Sequence, residues 1–279
     1  MIRLVSVSIG FLTVFGAVLA PPVRAQTPQQ RQWCDGQHGV SPDQQISGCT
    51  AIIGSTRDKP SILATAFNNR AGAYFSQGLF EQAIQDLDQA VKLNPNYARA
   101  FVHRGRVYRS IGQYDHAIQD FDRAIKLEPN YPHAFVERGS VYSRQGQHKR
   151  AIQDFDQAIR LDPASGSALN DRCLSRATVG QLQEALMDCN TALWLRPGLG
   201  RATTLYVRGI VYLKMQQFVS AIADFDAALE LVPDNASSLY GRGLARLKKG
   251  DTAGGNADIK AAQAIKADIA DQLARYEVR

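Results

Sequence analysis

Arginine and aspartate recur together along this 279-residue chain in a way that catalytic groups do not. Arg70, Arg104, Arg138, Arg172, Arg208 and Arg242 are each followed sixteen residues later by an aspartate: Asp86, Asp120, Asp154, Asp188, Asp224 and Asp258. Guanidinium and carboxylate groups pair bidentately with useful strength. A site repeated identically in every unit of a chain points to architecture rather than to a reaction centre. The expectation is a ladder of ion pairs between adjacent helices. The spacing leaves open whether each pair closes within one unit or between neighbours.

Other chemistry-bearing residues are sparse. His38, His103, His116, His133 and His148 are scattered, and none has a cysteine or histidine at metal-ligand spacing. No phosphate-binding G-x-x-x-x-G-K-[ST], no H-E-x-x-H and no G-x-S-x-G occurs. No catalytic residue, cofactor or metal ligand is therefore assigned, and the chain is not expected to be an enzyme. Asn235-Ala236-Ser237 matches a glycosylation acceptor that only a eukaryotic source would use.

Residues 1–25 carry one early cation, Arg3, an apolar run from Leu4 to Ala20, two prolines, and Val23-Arg24-Ala25 before Gln26. That is the layout of a secretory signal peptide cleaved after Ala25. The rival is a retained anchor, although the run is near the lower limit for spanning a membrane and is diluted by Ser6, Ser8, Gly10 and Thr13. Cleavage leaves an exported chain, periplasmic or secreted, with no membrane span. Its loss removes two arginines and lowers the formal net charge from +6 to +4. An excess that small, without a concentrated basic footprint, excludes nucleic acid as the expected partner. Cys34, Cys49, Cys173 and Cys189 all lie in the exported part. Four cysteines in an oxidising compartment allow three pairings, and proximity favours Cys34–Cys49 and Cys173–Cys189. Without export, buried free thiols are the better expectation.

What must position these residues is a repeat. Aligned at a period of 34, units begin at Ala64, Ala98, Pro132 and Gly166, then at Ala202 after two inserted residues, then at Ala236. The six units span 64–97, 98–131, 132–165, 166–199, 202–235 and 236–269. Position 8 reads Ala71, Gly105, Gly139, Cys173, Gly209, Gly243, and position 24 reads Leu87, Phe121, Phe155, Cys189, Phe225, Ile259. Position 27 is alanine throughout, and position 32 is proline in the first five units. Apolar residues at 4, 8 and 11, and again at 20, 24 and 27, give each unit two amphipathic helices. Small residues let the helices approach, and proline ends the second one.

This pattern resembles the tetratricopeptide repeat, and the resemblance covers residues 64–269. It implies an all-α, right-handed superhelical solenoid in which stacked units bury what one unit cannot. The sixth unit is degenerate, as terminal repeats tend to be, and residues 270–279 are expected to act as a C-terminal capping segment. At the other end, Ser41-Pro42-Asp43 reads as a helix start. Residues 34–60 are expected as a cysteine-stapled helical cap, and residues 26–33 as a flexible leader, so that leader and cap together fill 26–63.

The resemblance also implies a ligand along the concave face, from first-helix positions 2, 5, 9, 12 and 13. No acid occupies those positions in any unit. In repeats two and three they supply Arg99, Arg106, Arg109, His133 and Arg144, expected to face the groove without acidic neighbours. In repeats five and six they supply Tyr206, Ile210, Leu213, Tyr240, Leu244 and Leu247, one apolar stripe per helix. The stripe is either an exposed anchor site or is covered by the C-terminal segment or a second copy of the chain. The function expected is a non-enzymatic scaffold of the cell envelope. Its partner is a protein or peptide with acidic groups toward repeats two and three and an apolar anchor toward repeats five and six. A recruiting subunit of an envelope enzyme complex, or an enzyme with an unrecognised site, are the alternatives.

Overall fold

The computed structural model describes residues 27–37, 39–55, 58–195 and 199–274. The expected signal segment 1–25 with its cleavage point, His38, Pro197 of the fourth unit, and residues 275–279 of the expected capping segment lie outside the described residues. Fifteen helices and no strand occur among those described: α1 (Pro28–Cys34), α2 (Pro42–Ile53), α3 (Pro60–Ser76), α4 (Phe80–Leu93), α5 (Ala98–Ser110), α6 (Tyr114–Leu127), α7 (Pro132–Arg144), α8 (His148–Leu161), α9 (Gly166–Thr178), α10 (Leu182–Leu195), α11 (Leu199–Lys214), α12 (Phe218–Leu231), α13 (Ala236–Lys249), α14 (Thr252–Ile265) and α15 (Ile269–Ala274). None is long and apolar enough to cross a membrane.

From α3 to α14 the helices pair as six antiparallel hairpins, each packed on the next. Consecutive first helices touch one another (α3 with α5, and so on to α11 with α13), whereas consecutive second helices do not. First helices therefore line the inner, concave side of the superhelix. Repeats two, three and five are each closed by one tight contact. A Cβ on Gly105, Gly139 or Gly209 would lie 2.6–2.8 Å from the ring of Phe121, Phe155 or Phe225, so only glycine lets the helices meet there. In repeat four a disulfide between Cys173 and Cys189 occupies the same two positions. The turn between the helices of each hairpin needs a left-handed residue. Glycine supplies it five times, and Gln216 (φ 60°) takes the place in repeat five.

The N-terminal end differs from the expectation in one respect. The leader is helical rather than flexible over Pro28–Cys34, because Thr27 caps it reciprocally with Gln30 and Cys34 is bonded to Cys49 in α2. Ser41 and Gln44 form the same capping box on α2. The two residues inserted before Ala202 lengthen α11 at its start.

The arginine–aspartate ladder closes in both directions at once. Each arginine donates Nε and Nη2 to the aspartate of its own repeat at 2.6–2.9 Å. Its Nη1 then reaches back one repeat, to Asp88, Asp122, Asp156, Asn190 and Asp226 in turn. Arg70, with no repeat before it, reaches Thr50 of the cap instead. Position 25, which supplies these second acceptors, is Lys260 in the last repeat, where no arginine follows. The ladder thus fixes each hairpin internally and registers it on its neighbour.

Candidate functional site: the concave face of repeats two to four

The inner face carries its charge on α5, α7 and α9. Arg106 and Arg109 sit one turn apart on α5, and both reach across to Glu137 on α7. Arg106 Nε lies 3.3 Å from Glu137 Oε1, and Arg109 Nη2 lies 3.1 Å from Oε2. His133, one turn before Glu137 on the same helix, places Nε2 3.4 Å from Oε1. Glu137 is 7% exposed, so three basic groups surround one buried carboxylate. The pairing is poorly aligned: Arg106 Nε, Arg109 Nε and Glu137 Oε2 are buried and find no hydrogen-bond partner among the described residues. Buried polar atoms are ordinarily satisfied, so this cluster retains unused donor capacity.

Glu137 corrects the expectation of arginines free of acidic neighbours. It occupies position 6, outside the positions taken to line the groove, and Asp171 of repeat four occupies position 6 as well. Asp171 accepts from Ser140 at 3.3 Å and from Asn170 at 3.2 Å. It lines a shallow cavity of about 200 Å³ together with Arg109, Arg144, Ser140 and Ser143. Arg99 interacts with Tyr131 and does not join the convergence on Glu137. Arg144 is exposed and has no ion pair among the described residues.

His103, position 6 of repeat two, is the remaining polar group in this cluster. Burial holds its pKa down at about 4, and the adjacent cations Arg106 and Arg99 act in the same direction, as does His133 when protonated. Burial likewise lowers His133, opposed by Glu137 and reinforced by Arg106 and Arg109. Both rings are therefore neutral at pH 7. The fixed charge of the face comes from Arg99, Arg106, Arg109 and Arg144 against Glu137 and Asp171.

The apolar stripe of repeats five and six is not an open surface. Ile210 is 1% exposed and Leu213 9%, and both pack in the core around Phe225 with Tyr206 and Leu244. Tyr206 and Tyr240 pack against Ile269 and Leu273 of α15. The Leu247 side chain fills the space beside Gly255 of α14. The stripe is thus covered from two sides: α15 packs on Tyr206 and Tyr240, and the packing of α11 to α14 takes up the rest. Among the described residues no group of three or more His, Cys, Asp or Glu is placed to hold a metal ion.

Family models agree with this geometry. A tetratricopeptide repeat model matches residues 64–97 and 133–165, and a second TPR repeat model matches 105–146 and 205–250. No curated protein sequence matches the chain. Among solved structures, a tetratricopeptide repeat protein from Parabacteroides merdae superposes with a TM-score of 0.67 at 17% identity, covering 90% of this chain and 100% of that one. A chain of the APC/C hetero-tetramer Cut9–Hcn1 gives 0.71 at 16% identity over 88% of this chain, which spans about half (51%) of that chain's length. YrrB, described as a TPR protein with an unusual peptide-binding site, gives 0.54 at 25% identity, covering 70% of this chain and 97% of its own.

Proposed function

The chain belongs to the tetratricopeptide repeat family, and on that premise we propose that it is a non-enzymatic scaffold of the cell envelope. It holds an acidic segment of a peptide or protein partner on the concave face of repeats two to four. The observation that carries this is the convergence of Arg106, Arg109 and His133 on a single buried carboxylate. An incoming carboxylate would meet the solvent-facing parts of the two arginine side chains, 36% and 23% exposed and already oriented by Glu137, and Arg144 and Arg99 extend the positive face on either side. YrrB, at 25% identity, is described by its peptide-binding site, which supports the same use of the fold here. The two disulfides and the layout of residues 1–25 support export to an oxidising compartment.

The test is binding of acidic peptides to the mature chain, titrated against salt. Binding should weaken as salt screens the cluster, and Arg106→Glu with Arg109→Glu should reduce affinity by at least tenfold. Unchanged affinity in that double variant would remove the concave face as the site. Export is read separately, from a mature N-terminus at Gln26 in the envelope fraction.

A further inference from the structure

The first repeat breaks the packing rule that its neighbours follow. Repeats two, three and five close on a glycine–phenylalanine contact, whereas repeat one has Ala71 and Leu87 at those positions. Leucine ends short of the space a phenylalanine ring fills. The next position along α3, position 9, is Gly72, where the other repeats carry Arg106, Ser140, Leu174, Ile210 and Leu244. A Cβ on Gly72 would meet nothing within 4 Å. These two departures leave a cavity of about 210 Å³ lined by Gly72, Phe75, Leu87, Val107, His103 and Arg106. Sites for whole small molecules run to roughly 300–1,000 Å³, so this one has room for a single side chain. Leu87 and Val107 are fully buried, while Gly72 is exposed.

Arg106 belongs to both features. Its guanidinium carbon lies 5.6 Å from the centre of the Phe75 ring, and its Nε lies 3.3 Å from Glu137. The apolar cavity and the cationic cluster are therefore one guanidinium apart. We propose that the cavity between α3 and α5 receives the apolar anchor of the partner: the segment recognised carries an aliphatic side chain within two positions of its acidic residue. This rests on the reading that the concave face takes an acidic segment. It moves the anchor to repeat one, the opposite end of the groove from the covered stripe.

The experiment uses the full mature chain and three synthetic peptides: Ser-Gly-Leu-Glu-Glu-Gly-Ser, the same with the leucine changed to glycine, and the same with both glutamates changed to glutamine. The leucine peptide should bind about tenfold more tightly than its glycine counterpart. Gly72→Leu should remove that preference and leave affinity for the glycine peptide unchanged. The added side chain has open space, and leucine is the better helix former, so the melting temperature should not fall. Gly72→Ala, which barely fills the cavity, should keep the preference. Equal binding of the leucine and glycine peptides by the wild-type chain, or a preference that survives in folded Gly72→Leu, would overturn the pocket while leaving the acidic-segment reading intact. If the glutamine peptide binds as well as the leucine peptide, or none binds, the reading of the concave face falls with it.

Discussion

The inner faces of the first three repeats and of the last two are built from the same motif positions, yet one is open and charged and the other is filled. In repeats five and six those positions are tyrosine, isoleucine and leucine; Ile210 and Leu213 pack around Phe225, and α15 folds back over Tyr206 and Tyr240. In repeats two and three they are arginine and histidine around Glu137, and among the described residues no terminal helix packs on them. The difference follows from solvation. Each buried square ångström of apolar surface is worth about 25 cal/mol, so an apolar stripe recruits whatever part of the chain can reach it. Hydrated guanidinium groups gain nothing from being covered by an apolar helix. An apolar residue at a groove position of a terminal repeat is therefore weak grounds for assigning a ligand anchor, because the chain's own end competes for it. A charged residue there is better grounds.

The comparison breaks most directly if α15 is removed. Ile269 and Leu273 are both buried, at 0% and 2% exposure. A chain ending at Lys266 should lose about 4 kcal/mol of stability, from roughly 1.5–3 kcal/mol per buried side chain. Denaturant unfolding measures the loss, and binding of an apolar dye should rise as Tyr206 and Tyr240 become uncovered. If stability and dye binding are unchanged, the C-terminal end is not closed by this helix.

A second, smaller change separates the ladder from the groove within the charged end itself. Arg138 pairs with Asp154, whose side chain is 7% exposed, and reaches back to Asp122. Arg138→Leu should cost about 3 kcal/mol, because it strands a buried carboxylate. Arg144→Leu, six residues further along the same helix, should cost at most about 0.5 kcal/mol, since the side chain is exposed and unpaired among the described residues. Equal losses in thermal unfolding would mean that both arginines serve the same purpose.

How much of this was legible in the sequence depends on whether the signal repeats. The 34-residue period, the helix-ending prolines and the sixteen-residue arginine–aspartate offset are all written six-fold or nearly so, and each corresponds to a feature of the hairpins. The second acceptor at position 25 was equally legible: Asp88, Asp122, Asp156 and Asp226 recur there, with Lys260 where the stack ends. Its meaning depends on a third guanidinium nitrogen, which the sixteen-residue pairing leaves without a partner. Glu137 could not be found by repetition, since position 6 reads Asn69, His103, Glu137, Asp171, Val207 and Gly241. Its burial under two arginines comes from the packing of α5 on α7, which a one-dimensional pattern does not encode. The Phe75 cavity is legible only as an absence, a leucine and a glycine where neighbouring repeats place a ring and a larger side chain. The sequence leaves the covering of the stripe open between the C-terminal segment and a second copy, and the contacts of Ile269 and Leu273 with Tyr206 and Tyr240 decide for the C-terminal segment at those two residues.

The same column, position 6, makes the charged end acid-sensitive where the filled end is not. His103 is held near a pKa of about 4 by burial, with Arg106 and Arg99, and His133 when protonated, adding to the depression. In the unfolded chain its pKa returns to about 6.5. Because the folded value is the lower one, the unfolded chain binds the proton first, and folding stability falls as the pH drops. The contribution of the neutral ring is complete above about pH 6.5 and is lost progressively as the pH falls through 4. Between pH 7 and pH 4.5 the loss should be about 2 kcal/mol, from 1.36 kcal/mol per unit of difference. Carboxylates elsewhere also titrate over this range, so the measurement is the difference between wild type and His103→Gln, read from urea midpoints at both pH values. The variant should lose less stability on acidification by that amount. In repeats five and six position 6 is Val207 and Gly241, which cannot titrate, so substitutions there should leave the pH dependence unchanged. A wild-type curve parallel to that of His103→Gln would show that the ring is solvated enough to protonate in place, and that the floor of the charged face is wetter than its 210 Å³ cavity implies.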